Sequence, residues 1–168
     1  MPSETAFIVS VPEAERYVRE LREQFDPTAE QGAPAHITLL YPFMSPEDVD
    51  AAVLAKAGAA VSGTGFSFRL SKVEHFPSAT YLRPEPKEPF IGLTKALVQA
   101  FPGFLPYGGR YNSSIPHLTV AQGTYDKQVV TDALAARLPE SGIDVWCKEV
   151  TLIENSSGVW KHMHSFAL

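Results

Sequence analysis

Two short segments of this chain repeat the same arrangement of a histidine and a threonine two positions apart. The first pair is His36 and Thr38, and the second pair is His117 and Thr119. Apolar residues alternate with these side chains, so each segment is predicted to be a β-strand whose histidine and threonine share one face. Each strand would thus place an imidazole beside a hydroxyl. The repetition predicts one site that contains two imidazoles.

Histidine can remove or donate a proton near neutral pH, because its unperturbed pKa is about 6.5. A reaction that activates an oxygen nucleophile and protonates an oxygen leaving group needs one neutral imidazole and one imidazolium. Cleavage of a phosphodiester is such a reaction, and the threonine hydroxyls would hold the non-bridging oxygens of the phosphate. The four motif side chains are therefore the predicted catalytic residues, with no metal ion or other cofactor. The two similar motifs leave open which histidine is the base.

The apolar patterns alternate between strands and helices along the whole chain. A strand at 5–11 is followed by an amphipathic helix that begins at Pro12 and reaches Phe25. Further helices are predicted at about 46–60, 90–101 and 126–138, and further strands at about 66–73, 80–82, 143–153 and 159–167. The motifs lie nearly half the chain apart, so we expect two βα lobes that face each other across a cleft.

The composition is that of a folded protein with no broad affinity for nucleic acid. Of the 168 residues, 45% are hydrophobic and 20% are charged, so residues 1–168 are expected to fold as one compact domain or as two closely packed lobes; the paired motifs favour a single bilobal domain. The net charge of −5 argues against binding to duplex nucleic acid. The chain shows no leader pattern and no long apolar span, so we expect a cytoplasmic location without a membrane partner. The single cysteine, Cys147, is expected to be a packed strand residue.

The paired motifs resemble those of the two-histidine phosphoesterase superfamily, and specifically its bacterial 2',5'-RNA-ligase-like branch. The resemblance rests on residues 34–43 and 116–121, with weaker similarity at 76–77, 81–86, 106–109 and 152–160. It implies an α+β, bilobal fold with pseudo-two-fold symmetry, whose antiparallel sheets face a central cleft. It also implies that the four motif side chains surround a phosphate of a 2',3'-cyclic nucleotide or of a 2',5' linkage.

Five other residues are candidates for substrate binding, each with a structural alternative. Tyr41 and Gln122 both stand five positions after a motif histidine, and either could contact the substrate or pack at a strand end. Phe76 and Tyr81 could stack on a nucleobase or pack in the core. Arg110 follows two glycines and could reach a phosphate or remain solvated.

The leading hypothesis is a metal-independent phosphodiesterase, either a 2',3'-cyclic nucleotide phosphodiesterase or a 2',5'-RNA-ligase-like hydrolase. Its partner would be a small nucleotide or an RNA terminus. The alternative is a binding module that binds the same ligands without turnover. A third hypothesis is a structural or interaction domain whose histidines are satisfied by hydrogen bonds within the protein. The pair His162 and His164 has no further ligands at metal-binding spacing, so both are expected to be strand histidines. The oligomeric state stays open.

Overall fold

The structure, a computed structural model, describes residues 2–110 and 115–168. The helices are α1 (Pro12–Phe25), α2 (Pro27–Glu30), α3 (Ala51–Val61), α4 (Glu88–Ala100) and α5 (Lys127–Arg137), with 3₁₀ turns at Pro46–Asp48 and Pro106–Gly109. The strands are β1 (Thr5–Ser10), β2 (His36–Leu40), β3 (Phe66–Phe76), β4 (Ala79–Glu85), β5 (Leu118–Gln122), β6 (Ile143–Cys147), β7 (Glu149–Glu154) and β8 (Lys161–Ala167). No helix of these described residues is both long and apolar enough to cross a membrane.

The strands form one curled antiparallel sheet in the order β6-β3-β4-β5-β2-β1-β7-β8. The two motif strands, β2 and β5, are neighbours at its centre. Among the described residues, Ile37 and Leu118 are the only pair in register between them, whereas β1 and β7 share four such pairs. The sheet therefore divides there into a first half (β2, β1, β7, β8) and a second half (β5, β4, β3, β6). This architecture confirms the predicted α+β class with antiparallel strands.

One face of the sheet carries the main hydrophobic core. Ile37 and Leu118 are fully buried in it, together with Val18 of α1, Leu97 of α4 and Leu134 of α5. Successive residues of a strand point to opposite faces, so the side chains next to Ile37 and Leu118 point away from this core. We call the opposite surface the motif face, because it carries both histidines and both threonines of the repeated motif.

A bulge interrupts each motif strand three positions after its histidine. In β2 the extra residue is Leu39, which lies between the paired residues Thr38 and Leu40. In β5 the extra residue is Val120, and the register of the neighbouring β4 shifts there. A one-residue bulge moves the residues that follow it to the other face. The residue five positions after each histidine therefore returns to the face of that histidine.

Two predicted elements are wrong in detail. The helix expected at 46–60 begins only at Ala51, because the Asp50 carboxylate caps it by accepting a hydrogen bond from the Val53 amide at 2.9 Å. The single strand expected at 143–153 is two strands, β6 and β7, which belong to different halves of the sheet. The division falls at Lys148, whose carbonyl accepts a hydrogen bond from the Leu168 amide.

The short connection between β6 and β7 explains the curl of the sheet. Only Lys148 separates these strands, so the end of β6 and the start of β7 lie within about 7 Å of each other. In the strand order, however, five other strands separate β6 from β7. The sheet must curl to bring them together.

Candidate active site

The antiparallel pairing of β2 with β5 brings the four motif side chains together at the centre of the motif face. Ile37 and Leu118 pair across the two strands, and each has the histidine and the threonine of its motif as its two neighbours in the chain. Each half of the sheet therefore supplies one imidazole and one hydroxyl at this junction.

Both imidazoles are held by the carbonyl oxygen two residues earlier. His36 Nδ1 donates to the Pro34 carbonyl at 2.6 Å, and His117 Nδ1 donates to the Ile115 carbonyl at 2.6 Å. A carbonyl oxygen can only accept a hydrogen bond, so the proton of each neutral ring lies on Nδ1. The Nε2 atom of each ring is then an acceptor, able to take a proton from a nucleophile.

Burial lowers the pKa of both motif histidines below the ordinary value of 6.5. At His36 the Pro34 carbonyl opposes this effect, and at His117 the Ile115 carbonyl does so. The charge of His117 also lowers the pKa of His36, which shows that the two rings interact. Protonation of one imidazole thus disfavours protonation of the other.

Two of the predicted substrate-binding residues lie directly beside His117. The rings of Phe76 and Tyr81 have centroids 5.1 Å and 5.4 Å from the His117 ring, and 4.4 Å from each other. Tyr81 also pairs with Thr119 across β4 and β5. It is only 4% exposed, whereas Phe76 is half-buried and keeps accessible surface. Phe76 is therefore the ring of this pair that a ligand can reach.

A polar cluster continues from Tyr81 along the motif face. The Tyr81 hydroxyl donates to Glu74 at 3.1 Å, and Arg83 donates to the same carboxylate at 2.7 Å and also to Glu85. Burial first, and then the bond to Glu74, raises the pKa of Tyr81. Sequence reasoning missed Glu74 and Arg83, although alternation along β3 and β4 places both on the face of Tyr81.

Tyr41 lies on the motif face in a second group of aromatic rings. Its ring is edge-on to Tyr107 and Trp160, at centroid distances of 6.5 Å and 6.0 Å. Its hydroxyl donates to Glu4 at 2.8 Å. Burial and that hydrogen bond raise the pKa of Tyr41 to about 12. The Tyr41 hydroxyl therefore stays protonated and donates its hydrogen bond to Glu4.

The other two candidates differ in their surroundings. Gln122 Nε2 donates to Asp26 at 2.9 Å, at the end of α1. Arg110 is exposed and directly follows the turn Pro106–Gly109, and no described contact joins it to the motif side chains. The structure thus brings Phe76 and Tyr81 to the motif, and it places Tyr41 and Gln122 in contacts of their own.

Two of the three other histidines and the cysteine have contacts with groups outside the motifs. His162 Nε2 lies 2.7 Å from the Ser165 hydroxyl, and the His164 ring packs on Phe166 at 4.7 Å. In the described part of the chain, no group of three or more His, Cys, Asp or Glu side chains could hold a metal ion. Cys147 is buried in β6, as predicted, and burial raises the pKa of its thiol to about 11.

Solved structures with the same fold cover nearly the whole chain. A structure of E. coli LigT complexed with 3'-AMP is 18% identical, covers 100% of this chain and 99% of its own, and has a TM-score of 0.59. The complex of E. coli LigT with NADP+ gives 19% identity, 99% and 98% coverage and a TM-score of 0.60. A structure described as a phosphoesterase gives 19% identity, 99% coverage of both chains and a TM-score of 0.65.

Because these solved structures are only 18–19% identical in sequence to this chain, they establish only its fold. The family is established by comparison of the sequence with family models. No curated protein matches the chain significantly. The model of the 2'-5' RNA ligase superfamily matches residues 10–158, which include both motifs and most of the chain. The match and the fold agree with the resemblance carried by the two His-x-Thr pairs. The chain belongs to the 2'-5' RNA ligase superfamily.

Proposed function

We propose that this protein is a metal-independent phosphodiesterase that cleaves 2',3'-cyclic phosphates or 2',5' linkages in small nucleotides and at RNA ends. The observation that supports this function is the pair of imidazoles, each with its proton on Nδ1 when neutral and each two residues from a threonine in its own strand segment. Nucleophile and leaving group are both oxygens in such a reaction. One imidazole acting as base and the other, protonated, acting as acid match that requirement.

In the proposed reaction, the neutral imidazole takes a proton from water at Nε2 as the water oxygen bonds to phosphorus. The protonated imidazole gives its Nε2 proton to the ribose oxygen as the old phosphorus–oxygen bond breaks. Thr38 and Thr119 donate hydrogen bonds to the non-bridging oxygens, on which negative charge increases in the transition state. When a ribose hydroxyl of a second RNA end takes the place of water, the same two proton transfers would join the ends: the hydroxyl oxygen bonds to phosphorus as it loses its proton to one imidazole, and the ring P–O bond of the cyclic phosphate breaks as the other imidazole protonates the leaving oxygen.

The aromatic residue beside His117 supports a nucleotide as the substrate. Phe76 is half-buried at 5.1 Å from that imidazole, a position from which its ring could stack on the base of a nucleotide bound at the motif. The LigT of E. coli, which shares the fold, has been crystallised with 3'-AMP and with NADP+. We extend that preference for nucleotides to this chain.

The proposal is tested by hydrolysis of four nucleoside 2',3'-cyclic phosphates and a 2',5'-linked dinucleotide, with EDTA present. Each general acid or base contributes roughly 10²- to 10⁴-fold to a rate. We therefore expect His36→Ala and His117→Ala each to lower kcat by roughly 10²- to 10⁴-fold. The exposed strand histidine provides the matched control, so His162→Ala should retain the wild-type rate.

Thermal unfolding of the same variants separates a catalytic role from a structural one. Loss of turnover with folding retained supports the acid–base scheme. Activity that disappears with EDTA and returns with one metal ion would overturn it. If the wild type bound nucleotides tightly without turnover, the alternative hypothesis of a binding module would replace that of an enzyme.

A further inference from the structure

A buried ion pair lies at the end of α1. Arg22 Nε and Asp26 Oδ2 are 3.2 Å apart, and their side chains are only 4% and 1% exposed. Removing two charges from water is costly, and a buried pair is seldom more stable than apolar residues of the same size. The Arg22–Asp26 pair lies beside the segment that precedes His36, which suggests that it has a role in positioning that segment.

Arg22 and a neighbouring carboxylate hold the segment that precedes His36. Arg22 Nη2 donates to the Ala33 carbonyl at 3.1 Å, and Arg22 Nη1 lies 3.8 Å from Glu15 Oε1. The same Glu15 oxygen accepts a hydrogen bond from the Ala35 amide at 2.9 Å. Pro34, between these two alanines, supplies the carbonyl that holds the imidazole. Helix α1 therefore fixes the backbone on which the orientation of the His36 ring depends.

Asp26 extends these contacts to the other motif strand. Its Oδ1 accepts hydrogen bonds from Gln122 Nε2 at 2.9 Å and from the Thr28 amide at 3.0 Å. Gln122 is the last residue of β5 and follows His117 by five positions. We call Arg22, Asp26 and Gln122 the Arg22 cluster; it joins α1, the segment before β2 and the end of β5.

We propose that the Arg22 cluster is a positioning device for His36 alone, which makes the two imidazoles of a repeated motif unequal. Its side chains act through the backbone before His36 and through their charges, and they do not touch the substrate. The effect on kcat rests on the proposed phosphodiesterase activity. The effect on His36 itself does not depend on any activity.

The charges around the two histidines support this asymmetry. After burial and the Pro34 carbonyl, the pKa of His36 is lowered by Arg22, raised by Asp26 and lowered by His117. Burial and the Ile115 carbonyl act on the pKa of His117. The surroundings also differ, since Pro34, whose carbonyl holds His36, is half-buried, whereas Ile115, whose carbonyl holds His117, is 48% exposed.

The first test measures the titration of each histidine by NMR, from the Cε1–H resonances of the protein without ligand. Asp26→Asn removes a negative charge and keeps the side-chain shape, so the titration midpoint of His36 should fall. Arg22→Gln removes a positive charge, so that midpoint should rise. The midpoint of His117 should stay unchanged in both variants. Equal shifts of the two histidines, or no shift of His36, would overturn the proposal.

A second variant keeps both buried charges and tests the positioning effect if the first variants do not fold. Gln122→Ala removes one donor to Asp26, and small displacements of a catalytic group are costly in rate. We expect kcat to fall roughly tenfold with KM unchanged. Gln128→Ala is the matched control, because Gln128 is exposed and donates to Asp132 at 2.7 Å. A Gln122→Ala enzyme with wild-type kcat would contradict the proposal.

The two tests also separate this inference from the proposed function. A wild-type protein with no turnover on any substrate would refute the phosphodiesterase. The opposite NMR shifts of His36 would still be expected in that case. Turnover together with unshifted histidines would refute the Arg22 cluster and leave the phosphodiesterase in place.

Discussion

The two motif histidines present the same atom to the substrate because the backbone orients both rings in the same way. In each motif the carbonyl two residues before the histidine accepts the Nδ1 proton at 2.6 Å. That bond fixes the tautomer and leaves Nε2 for chemistry. At the scale of single residues, the two motifs therefore repeat the same histidine geometry. The residues that surround the two histidines differ.

The lowered pKa values of the two histidines predict that kcat/KM is highest at acidic pH. The proposed reaction needs one neutral and one protonated imidazole, and burial lowers the pKa of both rings below 6.5. The profile of kcat/KM against pH should therefore be bell-shaped with its maximum below pH 6.5. Bound phosphate favours the imidazolium, so the maximum of kcat should lie at higher pH. A kcat/KM that still rises above pH 7.5 would contradict this scheme.

The sequence predicts the placement of the two His-x-Thr pairs in strands well, and the surroundings of these residues poorly. Histidine and threonine two positions apart in a strand share a face by geometry alone, so both pairs could be identified without a structure. The buried partners of His36 could not. Arg22 and Asp26 have the spacing of an ordinary surface pair on a helix, and only the docking of α1 shows that they are buried beside the motif.

At the scale of elements, the periodicity of apolar residues predicts where helices and strands lie. The positions of bulges and strand ends depend on the neighbouring strands of the sheet. Helix α1 at Pro12–Phe25 and helix α5 at Lys127–Arg137 lie close to their predicted positions. The bulges at Leu39 and Val120 were not predicted, because a bulge is defined against the neighbouring strand. The break at Lys148 has the same cause, since the flanking residues read as one apolar, β-branched run.

The turn before β6 should be intolerant of any side chain. Gly142 has a φ of +85°, and a Cβ added there would lie 2.7 Å from the Leu70 carbonyl oxygen and 2.7 Å from the Ser71 Cβ. We expect Gly142→Ala to lower the free energy of unfolding by roughly 2–4 kcal/mol, from backbone strain and collision together. Urea unfolding, followed by circular dichroism, measures this change.

A matched glycine separates the collision from the backbone strain. Gly123 has a φ of +98°, and a Cβ there would meet nothing within 4 Å. Gly123→Ala should therefore cost only about 1–2 kcal/mol, the strain of a left-handed residue. Equal losses of stability in the two variants would show that contact with β3 is unimportant.

At the scale of the whole molecule, the two motif imidazoles should make stability depend on pH. In the unfolded chain each histidine has a pKa of about 6.5, and in the folded chain the pKa of both motif histidines is lower. Below pH 6.5 the unfolded chain thus binds more protons. The free energy of unfolding should fall between pH 7.5 and 5.5, by at most about 1.4 kcal/mol per pH unit for each histidine.

Denaturant unfolding at several pH values measures this dependence. His36→Gln removes one of the two titrating groups, so its free energy of unfolding should change less steeply over the same range. The carboxylates remain ionised there, since their unperturbed pKa values are about 4. A slope in His36→Gln as steep as in the wild type would exclude that imidazole as a source.

The single residue pair in register between β2 and β5 has a consequence for the size of substrate that fits. Each motif histidine belongs to a different half of the sheet, and in the described part of the chain one residue pair is in register where the halves meet. Packing under the junction, where Ile37 and Leu118 are fully buried, must then set the gap between the imidazoles. A change of side-chain volume on that hidden face would widen or narrow the gap without altering any reacting group. In the proposed phosphodiesterase, the choice between a compact cyclic phosphate and a bulkier open diester would then depend on the volume of core side chains.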